Sequence, residues 1–325
     1  MSLLVLLGLL PAFVNADSVV NECNTGSECA NFGDKYYIGE GVKQDDFKAV
    51  EFYQKACGLN HGRSCSNLGF MYANGKGAKQ DDFKAVEFYQ KACDLNVGEG
   101  CSNLGFMYTN GKGAKQDDFK TVEFYQKACG LDYGGGCSNL GLSYVNGKGV
   151  KQDDFKAVEF FQKACGLNYD GGCFNLGLMY ANGKGVKQDD FKAVEFYQKA
   201  CGLNYGGGCS NLGFSYDKGE GVKQDDFKAV EFFQKACGLN TGRGCSNLGI
   251  SYAKGKGVKQ DDFKAVEFFQ KACGLNCGGG CFNLGVSYEY GKAIRKSGIK
   301  ALEYYGKACD LKSVIGCKNY ARLKK

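Results

Sequence analysis

Cysteine is the residue type in this chain with the most chemistry open to it, and there are nineteen copies. Eight pairs share one spacing: Cys57–Cys65, Cys93–Cys101, Cys129–Cys137, Cys165–Cys173, Cys201–Cys209, Cys237–Cys245, Cys273–Cys281 and Cys309–Cys317. A ninth pair, Cys23–Cys29, is closer, and Cys277 is left over. Paired thiols can bind zinc or form disulfides. Zinc usually takes CxxC-like knuckles with histidine, and the chain has only His61. Cytosolic proteins seldom carry so many cysteines outside metal sites. The spacing therefore predicts nine disulfides, no metal and no cofactor. It leaves Cys277 a free thiol in a junction loop, able to mispair or to link two molecules.

The next candidates are asparagines, one placed two residues after each opening cysteine. They are Asn67, Asn103, Asn139, Asn175, Asn211, Asn247 and Asn283. An amide both donates and accepts, so a row of them can hold the backbone of an extended peptide. Equally, each could cap or bridge a helix terminus locally. The sequence leaves both readings open. On the first, the more variable Ala73, Thr109, Val145, Ala181, Asp217, Ala253 and Glu289 would tune specificity.

These residues recur because the chain recurs. CSNLGFMYANGKGAKQDDFKAVEFYQKACDLNVGEG, residues 65–100, returns almost word for word every 36 residues, and Cys29 opens a rougher copy. A fixed period of this length marks a solenoid, in which each unit is one supersecondary element stacked on its neighbours. Each copy reads as two helices. Helix A is expected from about Cys65 to Tyr72, with Leu68, Met71 and Tyr72 on one face, and ends at Asn74-Gly75. Gly69 inside it costs about 1 kcal/mol relative to alanine, and its return in every copy implies close approach of a neighbouring helix. Asp81 is a good N-cap for helix B, expected from about Asp82 to Cys93. Phe83, Val86, Tyr89 and Cys93 form its apolar stripe. Seven residues, DLNVGEG, then lead to the next cysteine. The fold class is all-α, an α/α solenoid in a right-handed superhelix.

Composition sets the surroundings. Leu3 to Leu10 is an apolar run too short to span a membrane, and Val14-Asn15-Ala16 offers small residues for cleavage. Residues 1–16 are thus expected to be a signal peptide, 17–28 an N-terminal cap segment, 29–316 eight repeats and 317–325 a C-terminal capping helix. With the cysteines, this points to a secreted or periplasmic protein without stable membrane insertion, expected to be a monomer. The net charge of +6 is modest, and lysines alternate with Asp and Glu as in KQDDFK, so no segregated basic face for nucleic acid exists. Gly69 to Gly75 lacks the spacing of a phosphate-binding loop, and Gly77 stands where such a loop needs Ser or Thr.

The pattern Leu176-Gly177, Tyr180, Gly183, Gly185-Val186, Asp189, Lys192-Ala193 and Lys199-Ala200-Cys201 resembles Sel1-like repeats, relatives of the tetratricopeptide repeat. The added cysteine pair resembles the Helicobacter cysteine-rich protein family, over about residues 23–323. That resemblance implies a secreted, disulfide-bridged solenoid that interacts with the host, and the chain is expected to bind peptide, glycan or a host or envelope protein along its concave helix-A face. It also implies a second reading, binding of β-lactams or cell-wall fragments with slow hydrolysis of the β-lactam amide. Serine β-lactamases use S-x-x-K. Ser215–Lys218, Ser251–Lys254 and Ser297–Lys300 match that spacing. Ser215 and Ser251, however, occupy the slot of Met71, Met107 and Met179, which reads as packing, and Ser297 occupies the N-cap slot of Asp261. All three matches therefore have structural explanations.

Overall fold

The computed structural model describes residues 23–325, with seventeen helices and no strand among them. The expected signal peptide lies outside the described residues. The described residues divide into two units, the first ending at Phe124 and the second running from Tyr125 to Lys325. The first holds α1 (Gly26–Ile38), α2 (Asp46–Gly58), α3 (Gly62–Asn74), α4 (Asp82–Asp94) and α5 (Gly98–Asn110), and the boundary falls within α6 (Asp118–Gly130). The second holds α7 (Gly134–Asn146), α8 (Asp154–Gly166), α9 (Asp170–Asn182), α10 (Asp190–Gly202), α11 (Gly206–Lys218), α12 (Asp226–Gly238), α13 (Gly242–Lys254), α14 (Asp262–Gly274), α15 (Gly278–Tyr290), α16 (Gly298–Asp310) and α17 (Val314–Leu323). Odd-numbered helices are helix A of their repeat and even-numbered ones helix B.

Local chemistry sets the helix ends. Asp81 Oδ1 accepts the Phe83 and Lys84 backbone N–H groups at 3.1 and 3.0 Å, capping α4. Asp45, Asp153, Asp189, Asp225 and Asp261 cap their helices in the same way, and Ser297 caps α16. Helix A ends on a left-handed glycine, as at Gly75 with φ 65°. The second glycine of that turn, Gly77, sits so close to the Asp46 carbonyl that no Cβ fits. The same contact recurs at Gly113, Gly185, Gly221 and Gly257, seating those turns on the start of the preceding helix B.

Helix A starts earlier than its sequence implies. α3 begins at Gly62 and α5 at Gly98, three residues before the cysteine. The expected seven-residue junction is only Leu95, Asn96 and Val97, with Asn96 left-handed at φ 58°. α1 likewise begins at Gly26 on a Thr25–Glu28 capping box, and α17 at Val314 rather than at Cys317. The glycines that look like loop are helical, and the end of the preceding helix B packs against Gly100. A Cβ on Gly100 would stand 2.5 Å from Ala92 Cβ.

Nine disulfides form: Cys23–Cys29 ties the segment before α1 to that helix, and the eight pairs eight residues apart tie the last turn of helix B to the first turns of the next helix A. The Cα atoms of Cys201 and Cys209 are 4.6 Å apart. In the first unit the core centres on Tyr36, Phe52, Tyr53, Leu68 and Met71. In the second it centres on Phe161, Leu176, Tyr197 and Leu212. Gly69 and Gly213 allow the contact of A on B, since a Cβ on either would meet Tyr89 or Phe233 at 2.7 Å. The helix-B stripe is narrower than expected. Ala85, Tyr89, Ala92 and Cys93 are buried, but Phe83 is 77% exposed. A first-turn side chain tilts toward the helix N-terminus, past the end of the helix it would pack on.

Candidate functional site

All seven ladder asparagines sit in the interior of helix A and are half-buried. None is an N-cap. That position belongs to residues such as His61, Val97 and Tyr205. The local-capping reading therefore does not describe them. Instead Asn67, Asn175 and Asn211 meet side chains of the preceding repeat. Asn67 hydrogen-bonds the Tyr53 hydroxyl, which donates to Asp34 Oδ1 at 2.7 Å. Burial, and then Asp34, push that hydroxyl's pKa up. Asn211 bonds Tyr197 in the same way, and burial raises the Tyr197 pKa. Where helix B carries Phe161, Phe233 or Phe269, the following Asn175, Asn247 or Asn283 has no tyrosine hydroxyl in that place. Asn175 then donates to Ser138 Oγ at 3.4 Å, whereas the corresponding buried Ser210 Oγ has no partner.

Three residues after each asparagine comes an apolar side chain on the same helix face. Phe70 and Phe106 in the first unit, and Leu142 and Phe214 in the second, are 37–52% exposed. Together these residues line open grooves. One in the first unit, of about 640 Å³, is lined by Asn31, Asp34, Tyr53, Arg63, Asn67 and Phe70. The second unit repeats it at about 260 Å³ around Tyr197, Asn211, Phe214 and Arg243. A third, of about 270 Å³, forms around Phe233, Asn247 and Ile250. Sequence reasoning missed the apolar rung and the charged second helix position, Arg63, Glu99 and Arg243. The signal was present, since i and i+3 share a helix face.

Several residues expected to tune specificity are instead engaged by their own neighbours. Asp217 binds Lys256 at 2.5 Å and Lys218 at 3.1 Å. Burial disfavours its charge, but these bonds hold its carboxyl below the usual range. Glu289 accepts from Tyr305 at 2.6 Å and from Arg322 at 2.7 Å, fastening α17 to α15. It too is held below the usual range, against the opposing effect of burial. Thr109 Oγ1 bonds the Gly105 carbonyl at 3.0 Å and Thr121 at 3.3 Å.

The serines of the S-x-x-K matches keep structural roles. Ser215 and Ser251 are buried in the helix-A core slot, and Ser297 accepts the Lys300 backbone N–H as an N-cap. Lys218 pairs with Asp217, and Lys300 lies over the Tyr288 ring. Cys277 is a free, half-buried thiol at the N-cap of α15. Among the described residues no group of His, Cys, Asp and Glu could hold a metal ion, and no helix is long and apolar enough to cross a membrane.

The Sel1 repeat family model matches residues 29–61, 62–97, 98–133, 135–169, 171–205, 207–240, 242–277 and 279–313. No curated protein matches the chain. Among solved structures, a Sel1 repeat protein from Oxalobacter formigenes is similar at 23% identity and TM-score 0.64, over 92% of this chain and 86% of that one. Helicobacter pylori cysteine rich protein B is 39% identical over 40% of this chain and 94% of its own, with TM-score 0.34.

Proposed function

The chain belongs to the Sel1 repeat family, and from that premise we propose that it is an extracytoplasmic scaffold whose helix-A face holds an extended segment of a partner protein. Sel1 repeats are helical scaffolds suited to protein–protein interaction, and nine disulfides fit an oxidising compartment outside the cytoplasm. The observation that carries the reading is recurrence: the same amide, apolar rung and aromatic floor build a groove in the first unit and twice in the second. A half-buried amide satisfies main-chain N–H and C=O groups without reading sequence, and the apolar rung beside it takes a side chain. Neighbouring helices pack roughly 8–10 Å apart, and a chain in the extended polyproline II form rises about 3.1 Å per residue with three residues per turn. About three peptide residues therefore pass each rung, so preferred peptides repeat an apolar residue at that interval.

The test is a peptide array probed with the oxidised protein. Apolar residues at every third position should be enriched among bound peptides. Replacing Asn247 and Asn283 with alanine removes two amides worth about 0.5–1.5 kcal/mol each and should weaken binding roughly 5- to 150-fold. Unchanged affinity would eliminate the ladder.

A further inference from the structure

A second apolar row runs along the turn edge of the repeats. In the second unit Phe155, Phe191, Phe227 and Phe263 are 75–78% exposed, each at the second position of its helix B. Ile299 takes the same place in the last repeat, 84% exposed. Rows this exposed are uncommon on a free surface and mark contact sites. Beside Phe155 lies an open groove of about 910 Å³, lined by Tyr144, Val150, Lys151 and Asp154 and closed by Gly185 of the next turn. The first unit shows the same knob and hollow at Phe47, with a groove of about 800 Å³.

We propose that this edge of the second unit is a self-association surface, on which a second copy of the chain packs antiparallel. Three features select a second copy. At Phe155 a projecting ring stands beside a hollow, so two copies of that rung are complementary under a two-fold axis. Its charges are balanced, with Lys151 and Lys156 flanking Asp153 and Asp154, so a reversed copy sets lysine against aspartate. A polyanion or an anionic membrane would need a one-signed edge. The area fits a weak pair: a phenylalanine buries about 150–250 Å², so four rings at this exposure supply roughly 450–750 Å² per copy, below the about 800 Å² per partner of a standard stable interface and suited to association in the micromolar range. The chain alone leads to the expectation of a monomer and places this phenylalanine slot in the helix-B apolar stripe, whereas the structure exposes it.

The experiment is sedimentation velocity of the full oxidised chain, in a Cys277→Ser background so that no thiol-linked pair is counted. The mass should rise from one copy to two with concentration across the micromolar range. Phe191→Lys with Phe227→Lys should weaken association at least tenfold, with the thermal melt unchanged because both side chains are exposed. A single copy throughout, or association unaffected by the double substitution, overturns the proposal. So does a single copy that sediments with phosphatidylcholine vesicles, which would assign the edge to lipid.

Discussion

On the helix-A face the apolar rung changes from copy to copy, through Phe70, Leu142, Phe214 and Ile250, and always has an amide three residues before it. On the turn edge it stays phenylalanine in seven copies, flanked by lysine and aspartate. The first row is half-covered inside grooves, while the second projects at 72–79% exposure. A face that varies its apolar groups but keeps its backbone-binding amide is suited to chains of differing sequence. An edge that keeps one knob beside one hollow is suited to a surface of its own kind. The two rows share a core, so what separates them experimentally is whether a substitution strikes one row or the scaffold beneath both.

The largest effects should fall on the scaffold. Leu212 is buried, and Leu212→Ala should cost about 2–5 kcal/mol, lowering the melting temperature and weakening both surfaces together. Loss of one row's function alone would break the shared-core premise. Replacing Cys201 and Cys209 with serine opens a loop of about nine residues and should cost roughly 2.5 kcal/mol in oxidised protein. Denaturant unfolding measures this, and the change should vanish under reducing conditions. Next come the row-specific changes. Alanine at Asn247 and Asn283 should lower peptide affinity and leave self-association intact, whereas lysine at Phe191 and Phe227 should do the reverse.

The smallest effect concerns the C-terminal end. Glu289 has its folded pKa below the ordinary value of 4.5, so the contact stabilises above that value and is lost as pH falls through the folded pKa. Hydrogen exchange in α17 should therefore accelerate in acid. Arg322→Ala should abolish that pH step, and a step that persists would place the anchor elsewhere.

The 36-residue period and the Asp81-type caps made the repeat architecture and helix B legible from the chain alone. Helix A was misplaced at its start because Gly98 and Gly100 read as chain breakers, when Gly100 marks the approach of Ala92. The asparagine row was visible, but its partners were not. Whether an amide meets Tyr53 or finds Phe233 depends on how successive repeats stack. Phe83 was assigned to the core by helical periodicity, which carries no information on where the facing helix ends.

The most direct test compares peptide binding by the parent protein with that of the Asn247→Ala, Asn283→Ala double variant, with the thermal melt as control. Weakening of roughly 5- to 150-fold at an unchanged melting temperature is the predicted result. Equal affinity in the two proteins would contradict the account, because the groove would then hold its ligand without the amides that recur in it.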